Sequence, residues 1–218
     1  MLRLVKFIIP LDAYTTKDFK LLCNLLVQLF ENINNMRKSQ IIFVGGVHGV
    51  GKTTICNTIA SIFNIKHFSA SNLISLEKEE DHFLNKQVDN VTENQDFLVT
   101  AIDKYLNSED WYLLDGHFCL LSKNNEVTKI PHSTYQAICP TAIIVIIDEP
   151  ENIYTRLISR DSIKHELALL RSFQEQEIDY AEEIRDQLNI PYLMCNASES
   201  NDKIYPFIEN LLAQSVFE

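Results

Sequence analysis

The 218-residue sequence predicts an α/β fold, a parallel sheet with helices on both faces. Three observations carry that expectation. From residue 41 onward, apolar runs of strand length alternate with amphipathic runs of helix length. The run "AIIVII" at 142–147 is apolar at every position, as a central parallel strand must be when helices cover both sides. Four of the chain's five glycines fall between Gly45 and Gly51, directly after one such strand and before a helix.

The elements follow in order. Residues 2–9 read as a strand. Residues 16–35 read as an amphipathic helix with Phe19, Leu22, Leu26, Leu29 and Ile33 at helical spacing, widened by Leu21, Leu25 and Phe30. The polar break "NMRKSQ" at 35–40 separates a strand–helix extension, 1–39, from a domain spanning 40–218. Within that domain the pattern predicts a strand at 41–45, a helix at about 52–62 and a short strand at 66–68. A polar, mostly helical stretch covers 71–88, and a helix runs from about 92 to 107. Strand 111–115, "WYLLD", ends on an acid. A polar loop is expected over 122–134 and the apolar strand over 142–147. A long charged helical region at 151–188 follows Pro150, and a strand at 190–194 and a helix at 203–215 close the pattern.

The net charge of −11 argues against broad binding to a nucleic-acid backbone, which needs a basic surface. A small anionic ligand stays open, because local donors can hold it within an unfavourable field. Cys23, Cys56, Cys119, Cys139 and Cys195 form no C-x-x-C pair and read as reduced, mostly buried thiols, which suits a cytoplasmic protein. No apolar run approaches the ~20 residues of a membrane span. The start "MLRLVKFIIP" lacks a small-residue cleavage pattern and does not read as a signal peptide.

"GVHGVGKTT" at 46–54 fits G-x-x-x-x-G-K-[ST], a loop that cradles phosphates. Gly46, Gly49 and Gly51 permit the turn and the close backbone approach. The segment Val47, His48, Gly49, Val50, Gly51, Lys52 wraps the β-phosphate with N–H groups, and Thr54 continues into a helix whose positive end faces the anion. Lys52, expected to be exposed at the loop–helix junction, bridges the β- and γ-phosphates; the Thr53 hydroxyl coordinates magnesium. His48 is expected to turn away from the phosphates. Asp115 ends a buried strand at the sheet edge where ligands bind, so its carboxylate can hold magnesium or orient the acceptor's surroundings. His117 either lines the acceptor site or is a locally bonded loop histidine. Arg156 and Arg160 in "RLISRD" lie at i and i+4 on one helix face, suited to charge on a transferring phosphoryl group; Asp161 orients one of them, and Arg171 is a further candidate. Ser69 and Ser71 in "FSASNLI" either contact a phosphate or cap a helix.

The glycine loop, with "LLDGHF" and "RLISRD", resembles the nucleoside monophosphate kinases, most of all the archaeal-type adenylate kinases and small AAA-type ATP-binding proteins. The resemblance covers roughly 40–216 by order of elements. It implies a P-loop NTPase three-layer sandwich with a five-stranded parallel sheet in order 2-3-1-4-5. It also implies that Gln95 in "TENQDFL" meets the acceptor base, and that Asn196 and Ala197 in "CNASES" lie near adenine. Arg156 and Arg160 would then belong to a lid. The expected activity is an ATP- and Mg²⁺-dependent phosphotransferase acting on a nucleotide or another small acceptor. A switch or slow ATPase acting through a protein partner is the alternative, with residues 1–39 docking that partner, a second copy or the same chain.

Overall fold

The computed structural model describes residues 40–81, 91–107, 109–122, 125–161 and 166–214. The expected strand at 2–9 and helix at 16–35 lie outside the described residues. The elements are β1 Gln40–Gly45, α1 Lys52–Phe63, β2 Lys66–Ser69, α2 Ala70–Asp81, α3 Val91–Tyr105, β3 Trp111–Asp115, β4 Cys119–Leu121, β5 Val127–Lys129, α4 His132–Ile138, β6 Ala142–Ile147, α5 Pro150–Asp161, α6 Leu167–Leu188, β7 Tyr192–Asn196, a 3₁₀ turn at Ala197–Glu199 and α7 Ser200–Gln214.

Five strands form one parallel sheet in the order β2-β3-β1-β6-β7. Counting only these strands, that is the 2-3-1-4-5 order the sequence resemblance implied. Consecutive residues Ile41, Ile42, Phe43 and Val44 are all buried, as are Ile143 through Ile146, so side chains on both faces of β1 and β6 are covered. The registers Val44↔Asp115 and Ser69↔Asp115 bring the carboxyl ends of β1, β3 and β2 level, which sets the site at that edge.

Asparagines end two of the helices. Asn64 after α1 and Asn189 after α6 adopt the left-handed conformation, their N–H groups bonding Ala60 O and Arg185 O. Asparagine tolerates that region, which turns the chain back toward β2 and β7.

Three expectations need correction. The stretch 122–134 is not all loop. It contains β5, which pairs antiparallel with β4, and the start of α4. Each ribbon strand has three residues and is too short to show a period; the turn rests on Ser122 N–H to Glu126 O at 2.8 Å and on Asn125 at φ 61°. Tyr135 and Ile138 of α4 are buried. The charged region 151–188 divides into α5 and α6. The strand expected at 190–194 is displaced to 192–196, because the Asn189 cap and Pro191 occupy the chain before it.

Candidate active site

The loop after β1 depends on three glycines with positive φ: Gly46 at 139°, Gly49 at 80° and Gly51 at 106°. A Cβ on Gly46 would stand 2.4 Å from Ile146 O, so backbone packing as well as conformation restricts this position. Val47 and Val50 are fully buried and anchor the loop in the core. His48 is exposed, and its ring lies 3.9 Å from that of His117.

Lys52 opens α1 and is 7% exposed, contrary to the expectation of an exposed lysine. Its stem packs inward because the loop closes over it. Its amine donates to Gly46 O at 2.6 Å and Val47 O at 3.1 Å. Burial lowers its pKa from 10.5 to about 8, against the opposing pull of the Glu177 and Asp115 carboxylates. The amine is thus held at the loop by two carbonyl acceptors, where phosphate oxygens would be stronger ones.

Asp115 is 5% exposed at the end of β3. Its Oδ2 accepts from Thr53 Oγ1 at 3.2 Å and lies 2.7 Å from His67 Nε2. Burial alone would raise its pKa; the His67 hydrogen bond and the nearby Lys52 charge hold it below the ordinary carboxylate value. Asn57 Oδ1 fixes the other His67 nitrogen at 2.9 Å. A hydroxyl and a carboxylate oxygen side by side form a hard donor set that fits magnesium. Cys56 Sγ lies within 4.8 Å of the His67 and Asp115 ligand atoms, but burial pushes its thiol well up and keeps it protonated, a poor ligand for a hard cation.

Glu177 was hidden in the sequence. "EQEIDYAEEIR" reads as a solvated helix face, yet Glu177 is fully buried. Its Oε1 accepts from Gly46 N–H at 3.0 Å and Phe118 N–H at 2.9 Å, and its Oε2 from Cys119 N–H at 2.6 Å. This one carboxylate joins α6 to the start of the glycine loop and to the chain leaving β3. Burial raises its pKa despite the three N–H donors and Lys52. The signal was available: Leu170, Phe173, Glu177, Tyr180, Ala181 and Ile184 form a single helical stripe, and all are buried.

Arg156 is tethered. Its guanidinium donates to Gly49 O and Val50 O, both at 3.1 Å, and pairs with the buried carboxylate of Asp148. Arg160 is exposed one turn further along α5, close enough to Lys52 to lower that amine's pKa. Arg171 stands 4.0 Å from Glu151, both exposed. His117, 16% exposed by side chain, has its pKa held well below 6.5 by burial and by Lys52, so its ring is uncharged.

A cavity of about 770 Å³ gathers most of these groups. Its loop end is lined by His48, Gly49, Gly51, Lys52, Thr53 and Thr54, with Arg156 and Arg160 from α5. Asp115 and His117 lie in its wall, as do Ser69, Ser71 and Gln95. Ser69 and Ser71 bond each other at 2.8 Å. Gly46, Val47 and Val50 shape the loop without lining the cavity, and Asn196 and Ala197 do not line it either. Asn196 Oδ1 instead accepts from Ser198 N–H at 3.0 Å and Ser198 Oγ–H at 2.8 Å, while Ala197 packs against the core. Among the described residues no helix is long and apolar enough to cross a membrane.

A glycine loop between a central parallel strand and a helix, with a lysine and a threonine at the helix start and an acid on the neighbouring strand, defines a P-loop nucleotide-binding protein. The chain belongs to the AAA domain family AAA_17, whose profile matches residues 45–168. A search of curated proteins found no match. Similar solved structures include a gluconokinase from Sinorhizobium meliloti 1021, at 16% identity and a TM-score of 0.48, covering 83% of this chain and 99% of that one. Another is an uncharacterized protein from Eubacterium ventriosum ATCC 27560, at 12% identity and a TM-score of 0.44, covering 78% of this chain and 98% of that one.

Proposed function

We propose that this chain is an ATP- and Mg²⁺-dependent phosphotransferase that moves the γ-phosphoryl group to a small acceptor. The observation that carries this reading is the convergence of Lys52, Thr53, Asp115, Arg156 and Arg160 on one cavity at the carboxyl edge of the sheet. The loop N–H groups and the α1 terminus hold the phosphate chain. Lys52 exchanges its two carbonyl partners for phosphate oxygens. Thr53 and Asp115 would hold magnesium, which when bound neutralises charge on the β- and γ-phosphate oxygens. Arg160 reaches the transferring group, while Arg156 fixes the loop carbonyls behind it. Asn196 and Ala197 are kept as adenine neighbours on position alone.

The test is acceptor-dependent ADP formation by the wild type and by Lys52→Ala, beside nucleotide binding and a melting curve. Loss of a positioned charge on the transferring phosphate costs about 3 kcal/mol, a turnover loss of at least about a hundredfold. Equal turnover in the two proteins contradicts the reading. Nucleotide binding without turnover on any acceptor supports a switch instead.

A further inference from the structure

The cavity's second wall is built by α2, α3, β4 and α4, and its chemistry differs from that of the loop end. Ile74, Leu98, Leu120, Ile130, Tyr135 and Ile138 supply an apolar surface. The polar groups among them are uncharged: Asn94 and Gln95 from α3 and Thr134 from α4. Asn94 Oδ1 is buried with no hydrogen-bond partner. A buried carbonyl left unbonded is costly, so this one is suited to a ligand N–H or O–H.

Among the described residues no cation lines this wall. The sequence has no arginine between Arg37 and Arg156. The described lysines of α2 and α3 are turned elsewhere: Lys78 lies over the Phe97 ring at 5.8 Å, and Lys104 pairs with Glu77 at 3.3 Å. Lys52, Arg156 and Arg160 all stand at the loop end, where the triphosphate requires them. A phosphomonoester carries about −1.5 to −2 charge near neutral pH and needs cationic, preferably forked, donors when removed from water.

We infer that the acceptor is a neutral alcohol carrying a flat, N–H-bearing ring, a nucleoside in chemical class, and not a nucleoside monophosphate. The Asn94 and Gln95 carboxamides read the ring's donor and acceptor edge, as carboxamides do with bases elsewhere, and the apolar side chains hold its faces. The cavity size suits such a ligand beside a phosphate chain. In the reaction the acceptor hydroxyl oxygen bonds the γ-phosphorus of the nucleoside triphosphate as the bond to the β–γ bridging oxygen breaks. The nucleoside diphosphate leaves with that electron pair. The hydroxyl proton is released to solvent. The inference rests on the phosphotransferase reading.

The experiment gives the full chain Mg²⁺ and ATP with adenosine, guanosine, cytidine, uridine or thymidine, each beside its 5′-monophosphate, and identifies the product by mass. ATP binding is titrated separately in the wild type and in Lys52→Ala. At least one nucleoside is expected to exceed its monophosphate by about tenfold or more in kcat/KM. For that nucleoside Asn94→Ala raises KM about tenfold and leaves the KM for ATP unchanged, the scale of one lost hydrogen bond. A monophosphate used better than its nucleoside, or turnover of none of the nucleosides, overturns the inference while ATP binding that requires Lys52 keeps the nucleotide site intact. ATP binding indifferent to Lys52 overturns the phosphotransferase reading and this inference together.

Discussion

At the loop end of the cavity Lys52, Asp115 and Arg156 are each bonded to another group, and Glu177 holds the loop from behind, whereas on the wall built by α3 and α4 Asn94 Oδ1 has no partner. The difference follows from what each region does. Phosphate charge must be met by groups already in place, because reorganising dipoles during reaction is costly. The loop is therefore held from behind, its Gly46 N–H by Glu177 and its Gly49 and Val50 carbonyls by Arg156. A wall that recognises a neutral molecule can rely on shape, apolar contact and a few unsatisfied polar atoms.

The largest expected effect comes from removing the group that holds the loop from behind. Glu177→Ala leaves three buried N–H groups unpaired and should destabilise the protein by about 3 kcal/mol or more, roughly 6–12 °C in melting temperature for a domain of this size. Glu177→Gln keeps one oxygen for Gly46 and Phe118 but turns an amide toward the Cys119 N–H, so it should fall between. A Glu177→Ala protein that melts with the wild type would break the contrast between the two regions. Next in size are the arginines. Arg160→Ala should lower kcat about a hundredfold with little change in ATP affinity, as expected for a charge used in the transition state. Arg156→Ala should weaken ATP binding and turnover together, because it frees the Gly49 and Val50 carbonyls from their tether. Identical kinetic profiles for the two variants would show that the tether has no separate role.

Much of the loop end was legible because its chemistry is written contiguously. "GVHGVGKTT" specifies backbone donors, glycine conformations and a helix start within nine residues. Strands 111–115 and 142–147 emerge with the bounds their apolar patterns predict. The burial of Lys52 was not legible, because local spacing does not reveal that Gly46 and Val47 fold their carbonyls over the amine. Glu177 was missed for another reason. Its acidic neighbours suggested a solvated face, although its register with Phe173 and Tyr180 marked it as inward-facing. The ribbon of β4 and β5 has too few residues per strand to show a period. Asn94 belongs to a wall assembled from four separate elements, and no single stretch of sequence displays such a surface.

The central claim is that Lys52 leaves its loop carbonyls to meet phosphate, and proton linkage tests it most directly. In the free protein its pKa is about 8, lowered from 10.5 chiefly by burial. Below that value the amine is already charged, so ATP affinity should be flat with pH. Above it the amine must take up a proton to face the phosphates, so affinity should fall about tenfold between about pH 7 and pH 9. Calorimetric titration of ATP in buffers of different ionisation enthalpy reads that uptake. The wild type should bind close to one proton per ATP at about pH 9 and almost none at about pH 7, and Lys52→Met should lose the difference. Equal affinity and no proton uptake across that range, or the same uptake in Lys52→Met, would contradict the account.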